Sequence, residues 1–87
     1  MEIRIDPHTL ERANERGTSE SEIRDVLANG TPVIAKQNRL AKGKVYPYNK
    51  ERLGRHYSQK RVEVIYIVEG DTIITVTVYV FYGKWEQ

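Results

Sequence analysis

Between Thr72 and Tyr82 the chain reads TIITVTVYVFY, a run of β-branched and aromatic residues without Gly, Pro or charge. Such composition predicts a strand, and side chains alternate along a strand, so its faces can be read separately. One face carries Ile74, Val76, Val78, Val80 and Tyr82 and reads as core. The other carries Ile73, Thr75, Thr77, Tyr79 and Phe81, with hydroxyls at its centre. This pattern predicts a central antiparallel strand, covered on one face and half-wet on the other.

Upstream, the period changes from two to about 3.6. Asp6-Pro7 is a helix-start pair and Gly17 a helix stop, which predicts a helix of about 10 residues with Leu10 and Ala13 facing the core. His8, Arg12 and Arg16 recur at i, i+4 spacing and form a polar stripe beside that face. A second helix follows from Thr18 to Gly30: Ser19 and Glu22 suggest a capping box, Ile23, Val26 and Leu27 an apolar stripe, and Thr31-Pro32 a stop. Glu2 to Ile5 reads as a lead-in or added edge strand. Val33 to Lys36 and Lys44 to Tyr48 read as short strands, with Pro47 at an edge. Asn49 to Lys60 shows no sustained period and reads as a long loop. Arg61 to Val68 is a strand joined by a Gly70-Asp71 turn to the last one. A two-residue turn places Ile65 and Ile67 beside Val76 and Ile74 under the helices. It also points Glu63 coreward, an awkward place that a rim position or a bulge would relieve. The order predicts one α+β domain over residues 1–87, with two N-terminal helices packed on one face of an antiparallel sheet of about four strands.

Charge changes the picture more than composition does. The chain of 87 residues has a net charge of +2, yet Lys36 to Arg61 holds nine basic residues against the single acid Glu51. Tyr46, Tyr48, Tyr57 and His56 are interleaved with those cations. Phosphates need Lys and Arg, and bases need flat rings to stack on, so the segment suits a polyanion. Lys42, Lys44, Tyr46, Tyr48, Lys50, Arg52, Arg55, Tyr57 and Lys60 are the candidate nucleic-acid contacts, with solubilised edge strands as the plainer alternative. The absence of cysteine excludes disulfides and thiolate catalysis, and two histidines without clustered carboxylates argue against a structural metal; no metal or other cofactor is expected. No apolar run approaches a membrane span and the N-terminus lacks a signal pattern, so the expectation is a cytoplasmic protein without a membrane partner. Trp85 in the tail is expected to fold back on apolar surface.

Metal-free RNA cleavage requires a base for the 2′-hydroxyl, cations for the charged phosphorane and an acid for the leaving oxygen. His8, at a helix start, is the base candidate; Arg12, Arg16 and Arg61 are phosphate clamps; His56 or Tyr79 is the acid, and Thr77 offers a further hydroxyl. Each has an ordinary structural alternative, from helix-surface pairing to cross-strand packing. The pattern His8, Arg12, Arg16-Gly17, Ser19, Glu22-Ile23, followed by a basic tyrosine-containing region and a terminal IITVTVY, resembles the domain-of-unknown-function 4258 family. That family is similar in expected fold to the barnase, EndoU, colicin and RelE-like (BECR) nucleases, many of them toxins of toxin–antitoxin and contact-dependent systems. The resemblance implies metal-independent RNA cleavage, with His8, an Arg of the helix and Thr77 as the matching positions. The expectation is an endoribonuclease with RNA as partner and, if it is a toxin, an acidic antitoxin or immunity-type protein over its basic face. The alternatives are a non-catalytic nucleic-acid-binding module and a protein-interaction domain of the same fold.

Overall fold

The computed structural model describes residues 1–85; Glu86 and Gln87 lie outside the described residues. Its elements are β1 (Glu2–Arg4), α1 (Pro7–Arg16), α2 (Glu20–Asn29), β2 (Thr31–Val33), β3 (Leu40–Arg52), β4 (Arg55–Glu69) and β5 (Thr72–Gly83). The strands form one sheet in the order β1-β5-β4-β3-β2, antiparallel throughout except that β1 runs parallel to β5. The sheet is therefore five-stranded and mixed. Both helices lie on one face of it, as the sequence implies.

The helices begin and end where their capping chemistry dictates. The Asp6 carboxylate accepts from the His8 N–H at 2.8 Å, and Ser19 Oγ accepts from the Glu22 N–H at 3.2 Å. Only half of the capping box forms, because the Glu22 carboxylate instead accepts from Thr18 Oγ1 and Lys60 Nζ. Gly17 closes α1 at φ 95°, a left-handed conformation that L side chains resist, and a Cβ there would also overlap the Tyr82 hydroxyl. Leu10 is exposed on α1; Thr9 and Ala13 form its buried face instead. Thr9 is tolerated inside because its hydroxyl pairs with Thr75 Oγ1 at 3.0 Å, and Thr75 Oγ1 also accepts the Asp6 N–H at 3.0 Å.

The largest difference from the expected register lies in β4 and β5. Pairs from Glu69↔Thr72 to Tyr66↔Thr75 keep the phase set by the Gly70-Asp71 turn, but Ile65 then pairs with Thr77, leaving Val76 as an extra residue. This bulge changes the phase. The helix-facing side chains are thus Lys60, Val62, Val64 and Tyr66 from β4, and Ile73, Thr75, Val78, Val80 and Tyr82 from β5. They pack with Ala13, Ile23, Val26 and Leu27. Ile65 and Ile67 lie on the far side, not under the helices, and Thr75 is buried rather than open. The same phase brings Glu63 out of the core, onto the open face opposite Tyr79.

The expected loop from Asn49 to Lys60 is also corrected. It is a twisted two-stranded ribbon whose ladder runs to Arg52↔Arg55 around a Leu53-Gly54 turn with both φ values positive, at 52° and 82°. Its inward contacts are made by Tyr48, Arg52 and Tyr57 rather than by aliphatic side chains, so its sequence shows no hydrophobic alternation, and Leu at a left-handed turn position is an uncommon signal. Pro47 falls on β3 where only β4 flanks it, and Asn49 (φ 51°) marks a bulge beside it. Trp85 folds back on the end of the last strand, its backbone N–H donating to Gln59 Oε1 at 2.6 Å and its ring lying over Gly83 rather than over an apolar side chain of the core.

Candidate nucleic-acid interface

Folding sorts the basic segment into cations that hold the protein together and cations that do not. Lys42 Nζ donates to the Leu27 carbonyl at 2.8 Å and so caps the last turn of α2. Lys44 Nζ meets Asp25 at 2.6 Å, and the Tyr46 hydroxyl donates to the same carboxylate at 2.5 Å. Lys44, Tyr46 and Asn29 together hold the Asp25 carboxyl well below the usual carboxylate range, while burial, followed by Asp25 itself, pushes the Tyr46 hydroxyl upward. Lys60, only 9% exposed, donates to the Gly17 carbonyl at 2.8 Å and to Glu22 at 2.7 Å. The helix-facing half of the segment is thus engaged with α2 and with the α1–α2 corner.

Tyr48 and Tyr57 pack on Tyr82, with ring centroids 5.1 and 5.7 Å away, and Arg52 lies over the same ring at 4.7 Å while donating to the Glu15 carbonyl at 3.1 Å. Burial raises the Tyr82 hydroxyl above its ordinary pKa, and that hydroxyl donates to the Arg16 carbonyl at 2.6 Å. This cluster ties the ribbon, as far as Arg52 beside its turn, to the end of α1. Lys50 lies 5.8 Å from the Tyr48 ring; Arg55 and His56 are exposed near the ribbon's tip, with His56 opposite Glu51 in the ladder.

The other candidates converge on β5. β1 pairs with Thr72 to Ile74, and α1 then continues alongside β5 in the same direction. Its start is bonded through Asp6 and Thr9 to Thr75, and its end through Arg16 to Val78 and Tyr82. The His8–Arg12–Arg16 stripe is therefore ranked along the margin of β5. Arg16 donates to the Val78 carbonyl at 2.7 Å and reaches round that margin to lie 5.1 Å over the Tyr79 ring, on the open face. Arg12 is bonded to Glu15 at 2.7 Å. His8 stands at the exposed start of the stripe, its Nδ1 3.9 Å from Glu11. Eight residues of helix separate it from Arg16, a rise of about 12 Å.

On the open face, Tyr79 and Phe81 present adjacent rings, 43% and 47% exposed, with centroids 6.4 Å apart. Alternation along the strand already places Phe81 with Tyr79 on the face away from the core. Arg61, opposite Phe81, is bonded to Glu63 at 2.8 Å and lies over Gly43, where a Cβ would press against its guanidinium at 2.8 Å. Thr77 lines a hollow of about 300 Å³ beside Tyr79 and Ile65. The structure thus brings together Arg16, Thr77 and Tyr79, with Arg12 and His8 further along the same margin. It leaves His56 on the ribbon, without a contact to the stripe among the described residues.

A two-helix layer on one face of a mixed five-stranded sheet, with an aromatic and hydroxyl-bearing opposite face, defines an α+β domain whose open face is its distinctive surface. Residues 5–80 match the family described as Domain of unknown function (DUF4258), and the chain belongs to that family. Comparison with curated proteins and with solved structures returns no match. Among the described residues no helix is long and apolar enough to cross a membrane.

Proposed function

We propose that the protein is a metal-independent endoribonuclease acting at the margin between α1 and the open face of β5. The observation that carries this reading is Arg16: one guanidinium from the helix stripe lies over Tyr79, next to Thr77, so helix cations and strand hydroxyls share one surface. A phosphodiester at the level of Thr77 would have His8 toward one end and Tyr79 toward the other. His8 takes the proton from the ribose 2′-hydroxyl, whose oxygen attacks the adjacent phosphorus. Arg12 and Arg16 stabilise the charged phosphorane, and the P–O5′ bond breaks as Tyr79 gives its proton to the leaving oxygen. The products are a 2′,3′-cyclic phosphate and a 5′-hydroxyl end. Arg61, held against Glu63, serves the flanking phosphate, and Tyr79 is favoured over His56 as the acid because it shares the surface with Arg16. The likeness to BECR nucleases belongs to the same reading, as does a toxin role, in which an acidic partner would cover the exposed cations.

The test is cleavage of single-stranded RNA in EDTA by the wild type and by His8→Ala. Loss of a general base lowers the rate by about 10²–10⁴-fold while RNA binding persists. Equal rates would remove His8 from the mechanism. Binding without cleavage by the wild type would leave a non-catalytic RNA-binding module.

A further inference from the structure

The hollow beside Thr77 has a second wall that the residues discussed so far do not use. Lys36 to Arg39 forms a tight turn in which the Arg39 N–H donates to the Lys36 carbonyl at 3.3 Å, and both central residues are left-handed: Gln37 at φ 59° and Asn38 at φ 60°. Neither is glycine, so the turn is held at a conformational cost. It also places two cations at its flanks, and Lys36 and Arg39 both line the hollow with Thr77, Tyr79 and Ile65. No acid lines it. Among the described residues neither Lys36 nor Arg39 joins an ion pair, whereas Lys44, Lys60 and Arg61 all do. The acid opposite Tyr79 on the open face, Glu63, is taken by Arg61. Two cations bordering a hydroxyl-bearing hollow that no acid lines make it a favourable place for an anion.

We propose that this hollow is a phosphate subsite for one nucleotide unit of single-stranded RNA. Lys36 and Arg39 grip the phosphate, Thr77 donates its hydroxyl to a phosphate oxygen, and Tyr79 provides the flat wall for the attached base or ribose. A volume of about 300 Å³ stands at the low end of the roughly 300–1,000 Å³ typical of ligand pockets, which suits one nucleotide rather than two. The assignment rests on reading the open face as the RNA side, but it requires no cleavage. It also explains a segment on which neither the helix stripe nor the ribbon depends.

The test uses the full chain and a fluorescent 2′-O-methyl RNA octamer, which lacks the attacking hydroxyl, with binding followed by anisotropy across a salt series. Lys36→Ala with Arg39→Ala weakens binding by at least about tenfold, and the slope of log K against log salt falls by about 0.7, the value for one neutralised phosphate on a single strand. Arg24→Ala with Lys84→Ala removes the same charge from residues outside the hollow and serves as the control. Equal weakening by both pairs would show a net-charge effect only and overturn the subsite, as would unchanged binding by the first pair. Unmodified RNA separates the two readings. Cleavage by the wild type with binding insensitive to Lys36 and Arg39 sinks the subsite alone, whereas sensitive binding without cleavage sinks the nuclease alone.

Discussion

Lys60 is the residue at which a structural and a ligand-binding role make opposite forecasts. Its ammonium lies under the α1–α2 corner, bonded to the Gly17 carbonyl and the Glu22 carboxylate, and Glu22 is further held by Thr18. Replacing Lys60 by Ala removes two charge-assisted hydrogen bonds, each worth roughly 1.5–3 kcal/mol, and opens space where its stem packed. The Glu22 side chain keeps about a quarter of its surface in solvent and recovers hydration once unpaired, so the sum must be discounted. A net loss of about 2–3 kcal/mol remains, which for a domain of this size lowers Tm by roughly 10–20 °C. Urea unfolding followed by circular dichroism measures it, with an unchanged m-value showing that only stability moved. A double-mutant cycle with Glu22→Gln should return a coupling of about 1–2 kcal/mol. If Lys60→Ala instead unfolds within about 0.5 kcal/mol of the wild type and loses RNA affinity, the ammonium is free for phosphate and its assignment to the fold is wrong.

Two further outcomes follow from the buried polar groups. Thr75→Val leaves the Thr9 hydroxyl and the Asp6 N–H without their shared partner, and should cost about 1–3 kcal/mol in the same unfolding assay; a neutral result would mean that solvent reaches this pair. The Asp25 carboxyl is held below its unfolded value by Lys44, Tyr46 and Asn29, so its contribution is complete above the unfolded carboxylate pKa of about 3.9 and is lost as pH falls toward the lower folded value. Asp25→Asn should therefore be less stable at neutral pH and converge on the wild type in acid; parallel stability–pH curves for the two proteins would contradict this.

Local signals were enough for the helices, because caps and stops act within a few residues: Asp6, Ser19, Gly17 and Gly30 each stand at a helix boundary. The strand-turn-strand from β4 to β5 was equally legible, since Gly70 supplies the left-handed residue that a two-residue turn needs. The stripe of His8, Arg12 and Arg16 could be drawn from spacing alone. That Arg16 would turn round the margin of β5 onto Tyr79 could not, because the contact spans 63 positions and depends on which way α1 runs beside that strand.

What the sequence determined by itself was the class of the fold, the extent of its helices and the segregation of charge, all consequences of local propensity and periodicity. What only the tertiary structure decided was the meaning of those charges. Lys42, Lys44 and Lys60 face the helices and are hydrogen-bonded there, Lys44 and Lys60 to carboxylates, whereas Lys36 and Arg39 border the hollow on the open face. The Val76 bulge decided the faces of β4 and β5 by the same logic: a single extra residue reverses side-chain phase, at a point chosen by long-range packing. A sequence lists cations and alternating residues. Which of them meet a carboxylate and which meet solvent is settled only when distant strands pair.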